Sequence, residues 1–573
     1  VELIDVVAYM GEPGAATPSV SAERMILSPG KRVLAIGAQP GVGGFKVFRV
    51  PELSGSLEEA PDLQVQGDVG YEGKLGAYVS SSVLVPVNES LSAGANIDLY
   101  TARGLLVGPA ASYDYENASG HMRGRLDSGW ISDQGDRGYD YFGRAVPMNR
   151  WFMTARHQQV VNDKVYVTAY VNLLSDPDML RDFRPEVFKK NQYPDSYVEV
   201  SMPVGEDFVV SALTRFSAFG NDYAVSRRLP ELRVDMLTNP LPLGGIYQTG
   251  FASFAVTNLS MFDMHMYNQR AHAFYGLMRP FSLAPWLALT PKIGALAARY
   301  DRSIDLDDYS DDSVVPATHY IGELGLDLTA SFHARWDYRN KLLGIDGLRH
   351  ILRPVLKWRR YGSAGDDERG CYDSDTAFSW MNVPGMDLRD IQEDDLAYLN
   401  DPQVVRMGVE NVLQTRAEGA GSRALAALNM YHDHYLSGSE GDRDYVQLSL
   451  TPASYLAFSY ETGFDTDPMH MYWQRARLAL KSADQWSLNL YADFAESEFE
   501  DYMSSFFYQF NRTWGSAISL GYDAREGEVD RASISLLHQV GSFWQIRYRI
   551  SFNKDDLRQD DFGFSIAVAA ETF

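Results

Sequence analysis

Hydrophobic and polar positions alternate along most of the chain after residue 60. Successive side chains of a strand point to opposite faces, so FWQIRYRISF (543–552) has aromatic and β-branched residues on one face and Gln, Arg and Ser on the other. VYVTAYVNL (165–173), QWSLNLYADF (485–494) and TWGSAISLGYD (513–523) alternate in the same way. Each unit spans about ten residues, the length of a tilted membrane-crossing strand, whereas soluble strands average about five or six. The pattern therefore predicts many strands of membrane-spanning length.

The two faces of these strands differ in chemistry. One face carries aromatic residues close to the strand ends, as at Trp486, Trp514 and Trp544. Such rings suit the boundary between lipid and water. The opposite faces carry Ser, Asn, Gln, Gly and Arg, which suit a water-filled lumen better than a packed core. Because a closed barrel also removes exposed strand edges, the pattern predicts an all-β fold built as a large antiparallel transmembrane β-barrel.

Length and connections set the size of this barrel. Residues 58–573 number 516, and about 20 residues for each strand with its connection gives about 25 strands, hence 24–26. A tight turn is predicted within HQVGSFW, whereas the connections at 301–318, 362–402 and 496–505 are long and acidic. Short turns on one side and long loops on the other are typical of outer-membrane barrels. A short helix is predicted within 394–408.

Composition excludes several classes of protein. The net charge of −25 argues against nucleic-acid binding, which requires a basic surface. No stretch approaches the roughly 18 consecutive apolar residues of a membrane-spanning helix. Cys371 is the only cysteine, so no intramolecular disulfide can form.

Catalytic and metal-binding motifs were sought along the whole chain. His432 and His434 lie two residues apart on one strand face with Asp433 on the other, but no third ligand is evident nearby. We therefore predict an exposed histidine pair at a strand tip and no metal site. Nucleophile-elbow, Walker and zinc-protease motifs do not occur. The sequence predicts no catalytic residues and no cofactor; that the protein is not an enzyme is implied by the family resemblance described next.

Several short stretches, taken in order along the chain, resemble one family. Residues 19–55 resemble the last rungs of a periplasmic β-jellyroll, and GANIDLYTARGLLVGPAASYDY (94–115) is similar to early barrel strands of that family. YVNLLSDPDMLRDF (170–183) resembles a "DYVSDxxYLxDF" signature. Later strands are similar at SRRLPELRVD, LRHILRPVLKW, VVRMGVENVLQTR and IRYRISFNKDDLRQDDFGFSIAV. The family is the lipopolysaccharide-assembly outer-membrane protein, of the LptD (OstA or Imp) type.

This resemblance implies an architecture and a set of partners. Residues 1–57 would be the end of the periplasmic jellyroll, and 58–573 the barrel in the outer membrane of a Gram-negative cell. The barrel would act as a translocon that inserts lipopolysaccharide into the outer leaflet. The implied partners are lipopolysaccharide, a plug lipoprotein of the LptE type, a periplasmic bridge protein of the LptA type and the barrel-assembly machinery. The family's disulfides cannot form, since Ser542 and Phe543 occupy the place of its paired late-barrel cysteines.

The resemblance also implies a lateral gate between the first and last barrel strands. Proline lacks the N–H that a strand ladder needs, and Pro86 matches one of the family's gate prolines by position. The earlier gate proline is absent, but Gly67, Gly70 and Gly73 lie in the corresponding stretch. The other side of the gate would be the outward row of the last strand, Phe562, Phe564, Ile566 and Val568. Pro86 is equally compatible with a strand that simply ends at a turn.

Two alternative functions stay open at this point. Another outer-membrane channel or an uptake-receptor barrel would share the strand pattern, although an uptake receptor needs a globular plug domain that residues 1–57 do not resemble. A soluble all-β glycan-binding protein or hydrolase would bury the aromatic rows beneath a second protein layer. The barrel predicts that detergent is required for extraction, whereas the soluble alternative predicts a monomer in plain buffer.

Overall fold

The computed structural model is an all-β chain whose strand order closes into an antiparallel barrel of 26 strands, counted over the residues that it describes. This confirms the predicted fold class and the predicted range of 24–26 strands. The structure describes residues 2–9, 17–28, 32–42, 45–46, 49–56, 64–88, 90–140, 143–188, 191, 194–216, 227–242, 244–261, 264–305, 315–365, 369–370, 383–390, 402–417, 419, 421–438, 441–466, 469–483, 485–540, 544–554 and 561–570.

The first five strands form a separate antiparallel sheet. They are β1 (Glu2–Tyr9), β2 (Pro18–Ser28), β3 (Arg32–Val42), β4 (Phe45–Lys46) and β5 (Val50–Ser56). Neighbours pair in the order β1-β2-β3-β4, and β5 also pairs with β3. Ala22, Met25, Ala35 and Ala38 form its small buried core. The barrel begins at Gln64, and the boundary predicted after residue 57 stays a prediction.

The barrel wall follows in chain order with strands of about ten residues or more. The early strands are β6 (Gln64–Glu72), β7 (Gly76–Asn88), β8 (Leu91–Tyr100), β9 (Gly104–Asn117), β10 (Gly120–Ser132), β11 (Asn149–Val161) and β12 (Val165–Leu174). Two short helices, α1 (Met179–Phe183) and α2 (Pro185–Phe188), come next.

The middle strands contain the longest elements. They are β13 (Ser196–Val204), β14 (Phe208–Phe216), β15 (Arg227–Pro240), β16 (Tyr247–Met261), β17 (Met264–Met278), β18 (Phe281–Ala284), β19 (Leu287–Asp305), β20 (Val315–Ala330), β21 (Phe332–Asn340), β22 (Ile345–Gly365), β23 (Arg369–Gly370) and β24 (Gln403–Arg416). β17 pairs directly with β19, β20 with β22, and β22 with β24, so β18, β21 and β23 are additions to the wall.

The late strands return the chain to the first barrel strand. They are β25 (Ser422–Ser437), β26 (Arg443–Ala453), β27 (Leu456–Thr466), β28 (Met469–Ser482), β29 (Trp486–Ala495), β30 (Phe499–Gln509), β31 (Trp514–Asp523), β32 (Glu528–Val540), β33 (Trp544–Asn553) and β34 (Asp561–Ala570). β34 pairs antiparallel with β6, and we call this pairing the seam.

The chain divides into two compact units. Unit 1 contains Val1–Val198, Phe507–Ser519 and Asp530–Phe573, and unit 2 contains Glu199–Phe506 and Leu520–Val529. The seam and both helices lie in unit 1. Each unit is described by itself below.

Large apolar side chains are exposed in rows on the outer face of the wall. In unit 1, Ile550 pairs with Phe564 and Phe564 with Tyr71, and their exposed fractions are 49%, 40% and 53%. Val69 and Val79 continue this surface on β6 and β7. Contiguous exposed apolar surface of this kind marks contact with lipid or a partner. Among the described residues, no helix is long and apolar enough to cross a membrane.

One local prediction was wrong, and another is restricted to part of its range. The connection at 496–505 was expected to be long, but β29 ends at Ala495 and β30 begins at Phe499, so alternation resumes after a tight turn. The short helix predicted within 394–408 does not include residues from Gln403 onward, where β24 begins. Its apolar residues Val404 and Val405 pair with β25, and the ladder outweighs the weak local helical preference. Residues 394–401 lie outside the described residues.

Candidate functional site

A polar cavity of about 610 Å³ lies on the inner side of the seam. Strands from both ends of the barrel contribute to it, because β6 and β34 are neighbours although they are far apart in sequence. Asp68 and Glu72 face it from β6, Ser565 from β34, and Arg547 and Arg549 from β33. The two arginines of the alternating FWQIRYRISF stretch thus point into a polar interior, while Ile550 on the opposite face is exposed among apolar residues.

The seam is shorter than the pairing beside it. β34 pairs with β6 from Gly563 opposite Glu72 to Ala569 opposite Gln66, whereas its pairing with β33 covers Asp561 to Ala570. Over the described residues, ladder pairing is therefore less extensive between the first and last barrel strands than between β33 and β34.

The predicted gate residues of the last strand lie at this seam. Phe562 and Phe564 are exposed, and Ile566 and Val568 are half-buried on the same outer face. The alternate residues Gly563, Ser565 and Ala567 line the cavity. The strand is thus apolar outside and small or polar inside. Whether these residues act as a gate stays a prediction.

The three glycines of the predicted gate differ in their surroundings. A Cβ atom added to Gly70 would collide with the carbonyl oxygen of Phe564 and with the Tyr78 hydroxyl, so glycine here permits close approach of β34. A Cβ atom added to Gly67 would make only an ordinary contact with the carbonyl oxygen of Ser80, at 3.8 Å, and Gly73 is exposed in the turn after β6. Only Gly70 is required by the geometry of the closed seam.

Pro86 lies one strand away from the seam. It is part of β7, pairs with Ser92 of β8, and the register shifts between Pro86 and Asn88. A β-bulge at a proline is expected because proline cannot donate to the ladder. Pro86 therefore interrupts the β7–β8 pairing and does not itself belong to the β6–β34 seam.

The segment 176–188, which contains α1 and α2, leaves the wall after β12 and packs inward; we call it the strap. Its anchor is Arg150 of β11, whose side chain is completely buried. Arg150 donates to Asp176 at 2.6 and 2.9 Å, to Asp182 at 2.7 Å and to Asp133 at 3.0 Å. Arg103 adds a second buried cation, 2.9 Å from Asp133. Buried charges require this degree of compensation.

The strap also contacts strands on both sides of the seam. Arg184 lies 2.7 Å from Asp98 on β8, and Ser80 of β7 donates to the same carboxylate at 2.6 Å. On the other side, Arg549 of β33 donates to Glu186 of the strap at 2.7 Å. The strap therefore joins the early strands to β33 across the inner face of the first and last strands.

Sequence analysis missed this role of the strap. The stretch SDPDMLRDF was noted as part of a family signature, but its fold was not predicted. A signal was present, because Leu180 and Phe183 are spaced three apart, which breaks the two-residue alternation of the surrounding strands. Met179, Leu180 and Phe183 are all buried.

A second inward segment, residues 383–390, lies in unit 2. Leu388 is fully buried in an apolar cluster with Phe274, Leu296 and Ile321. Its backbone N–H donates to Glu323 at 2.8 Å. An ionic group around the buried Arg359 flanks this cluster, and its pairs are Arg359–Glu323 at 3.0 Å, Arg359–Asp327 at 2.6 Å, Arg359–Asp387 at 2.5 Å and Lys292–Asp387 at 2.7 Å.

The surroundings of the inward segment shift the pKa values of its carboxyl groups Asp387 and Asp390. Burial raises the pKa of Asp387, but the hydrogen bonds and charges of Lys292 and Arg359 outweigh burial and hold this pKa below its ordinary value. Burial, together with the neighbouring Asp387 carboxylate, raises the pKa of Asp390. Asp387 is therefore a carboxylate that docks the segment.

The histidine pair has a carboxylate neighbour that sequence analysis did not find. Asp442, in the turn between β25 and β26, lies 2.7 Å from His434 Nδ1 and 4.0 Å from His432 Nε2. The turn brings Asp442 back against β25. Cys371 lies outside the described residues.

A closed wall of long strands with apolar outer rows and a polar interior is typical of a large outer-membrane β-barrel. Residues 148–387 match the family model "LptD: LPS transport system D". The resemblance predicted from the sequence is thereby confirmed over this range, which includes the strap and residues 383–387 of the inward segment.

Other comparisons add little beyond the family match. Comparison with curated proteins finds no match. The ferric-catecholate import receptor Fiu from K12 E. coli is 7% identical, with 93% of this chain and 86% of that chain covered and a TM-score of 0.31. The siderophore receptor PirA from Pseudomonas aeruginosa is 12% identical, with 96% and 86% covered and a TM-score of 0.29. These scores are too low to support an argument.

Proposed function

We propose that this protein inserts lipopolysaccharide into the outer leaflet of the outer membrane through a lateral gate at the β6–β34 seam. The observation that carries the proposal is the polar cavity placed directly behind a seam whose outer face is apolar. An amphiphile with a large polar head and several acyl chains needs both environments at once. The family match over residues 148–387 supports the same class of cargo.

The seam provides a route between these two environments. Asp68, Ser565 and Arg549 offer hydrogen-bonding and charged groups to sugars and phosphates inside. Val69, Tyr71 and Phe564 present an apolar surface for acyl chains outside. If β6 and β34 part, the cargo passes sideways with its head in water and its chains in lipid, which avoids the cost of burying polar groups in hydrocarbon.

In this proposal the strap controls how far the seam opens. Its ion pairs to Asp98 and Arg549 lie on opposite sides of the seam. Separation of β6 from β34 therefore stretches or breaks at least one of them. The Arg549–Glu186 pair is the weaker link, because Glu186 is 64% exposed and exposed pairs contribute little.

The proposed partners follow from the family. The lumen would take a plug lipoprotein of the LptE type, the sheet β1–β5 would continue from a bridge protein of the LptA type, and the barrel-assembly machinery would insert the barrel. These remain proposals that copurification from cells would test.

A disulfide across the seam tests the gate. Val69 and Ile566 are direct partners in the seam, and directly opposed antiparallel residues lie about 4.5–5.5 Å apart, within disulfide range. In a Cys371→Ser background, we expect Val69→Cys with Ile566→Cys to stop delivery of lipopolysaccharide to the cell surface under oxidising conditions. Reduction should restore delivery. Surface lipopolysaccharide is measured in cells depleted of the native copy.

The matched control keeps one cysteine and moves the other. Ile566 also pairs with Tyr548 of β33, so Tyr548→Cys with Ile566→Cys links β34 to its other neighbour without closing the seam. This control should deliver lipopolysaccharide normally. If the oxidised seam variant also delivers normally, cargo does not leave between β6 and β34.

A further inference from the structure

The hairpin of β25 and β26, in unit 2, carries a histidine–carboxylate cluster. His432 and His434 lie on β25 and point to the outer face. Asp433 between them points inward, where Arg406 donates to it at 2.6 Å. Arg406 in turn donates to the backbone carbonyl of Pro384 in the inward segment.

The cluster brings three ligand atoms together. One atom each from His432, His434 and Asp442 lie within 4.8 Å of one another. The Asp442 oxygen is 2.7 Å from His434 Nδ1 and 4.0 Å from His432 Nε2. Ligands about 2.0–2.1 Å from a tetrahedral zinc ion are about 3.3 Å apart. The two measured distances lie on either side of that value. Small side-chain rotations would therefore bring the three ligand atoms to the spacing of a tetrahedral zinc site.

Neighbouring groups already orient these ligands. Asp444 Oδ1 lies 2.9 Å from His432 Nδ1, which leaves His432 Nε2 directed at Asp442. The backbone N–H of Tyr435 donates to the other Asp442 oxygen at 3.0 Å. A carboxylate behind a ligating histidine is a recurrent feature of metal sites.

We propose that His432, His434 and Asp442 bind a divalent transition-metal ion, with Asp444 as a positioning residue. Two imidazoles and one carboxylate favour Zn²⁺ or a similar ion over Ca²⁺ or Mg²⁺, which prefer all-oxygen ligands. Three protein ligands leave a fourth position for water or another oxygen donor. The ion would link β25 to the turn that leads into β26 and so stabilise the hairpin.

Zn²⁺ titration of the full-length protein tests the site. The Cys371→Ser protein, in detergent and without a polyhistidine tag, should bind one Zn²⁺ by calorimetry. His434→Ala should abolish this binding. Asp444→Asn should weaken it by about 10–100-fold, as expected for loss of an orienting partner. Binding of Zn²⁺ should also raise the unfolding temperature of the parent protein and not that of His434→Ala.

The control is another histidine–aspartate pair. His121 Nε2 lies 2.5 Å from Asp114, and this pair belongs to no group of three candidate ligands among the described residues. His121→Ala should bind Zn²⁺ like the parent. Unchanged binding in His434→Ala, or no stoichiometric binding in the parent, would overturn the proposal. If His434→Ala does not fold, as judged by gel mobility without heating, the conservative variant Asp442→Asn of a proposed ligand decides: parent-like affinity there overturns the site.

Discussion

The strap and the inward segment both leave the wall and pack inside, but they are fastened by different means. The strap depends on the fully buried Arg150, which binds three aspartates. The inward segment depends on Leu388, which is buried among apolar side chains, with the ionic group of Arg359 beside it. Both segments bury apolar side chains, but the carboxylates that Arg150 binds in the strap are almost fully buried, whereas Asp387 of the inward segment is 36% exposed.

They also differ in what they connect. The inward segment contacts Lys292, Glu323 and Arg359, which lie on β19, β20 and β22, consecutive strands of the wall. The strap contacts Asp98 on β8 and Arg549 on β33, so it spans the seam. We infer that loss of the strap changes seam opening, while loss of the inward segment changes only the interior of unit 2.

The largest expected effect comes from replacing Arg150, which holds the strap, or Arg359, which holds the inward segment. Arg150→Met leaves the buried Asp176 without its cation, Arg359→Met does the same to the buried Glu323, and each should lower the free energy of unfolding by about 3–5 kcal/mol. Each substitution is combined with the cysteine pair Val69→Cys and Ile566→Cys. Only Arg150→Met should slow disulfide formation between these cysteines, by several-fold, because the seam of the Arg150→Met variant stays open longer. Thermal unfolding in detergent and the oxidation rate are measured. Equal oxidation rates in the two variants would refute the distinction.

A smaller effect is expected at the exposed end of the strap. Glu186→Arg places two cations together at Arg549, and it should cost less than about 1 kcal/mol because exposed pairs are weak. When Glu186→Arg is combined with Val69→Cys and Ile566→Cys, disulfide formation across the seam should slow slightly. The exchange Glu186→Arg with Arg549→Glu restores opposite charges and should return the parent rate. A double variant as slow as the single one would show that this pair does not hold the strap.

The smallest effect concerns pH. Because its pKa is lowered in the folded protein, Asp387 contributes stability that is fully present above the ordinary carboxyl pKa of about 3.9. That contribution is lost as pH falls through the lowered value. The unfolding temperature of the parent should therefore fall more steeply below about pH 4 than that of Asp387→Asn. If the unfolding temperatures of the parent and of Asp387→Asn fall in parallel with pH, Asp387 does not dock the inward segment.

The sequence by itself determined the class of fold. Strand alternation is a local property, so FWQIRYRISF already separates a polar inner face from an apolar outer face without knowledge of its neighbours. Strand length and chain length then set the barrel size to within two strands. The predicted outer row of the last strand, from Phe562 to Val568, follows from the same periodicity.

Only the tertiary structure decided which residues meet. Arg549 contacts Glu186 although 363 positions separate them, and Asp442 approaches His432 and His434 only because a turn folds it back. Pro86 lies on β7, and Gly70 is required for close packing at the seam. Periodicity assigns each side chain to a face, but strand order and register assign its neighbours. Ion pairs and ligand clusters depend on those neighbours.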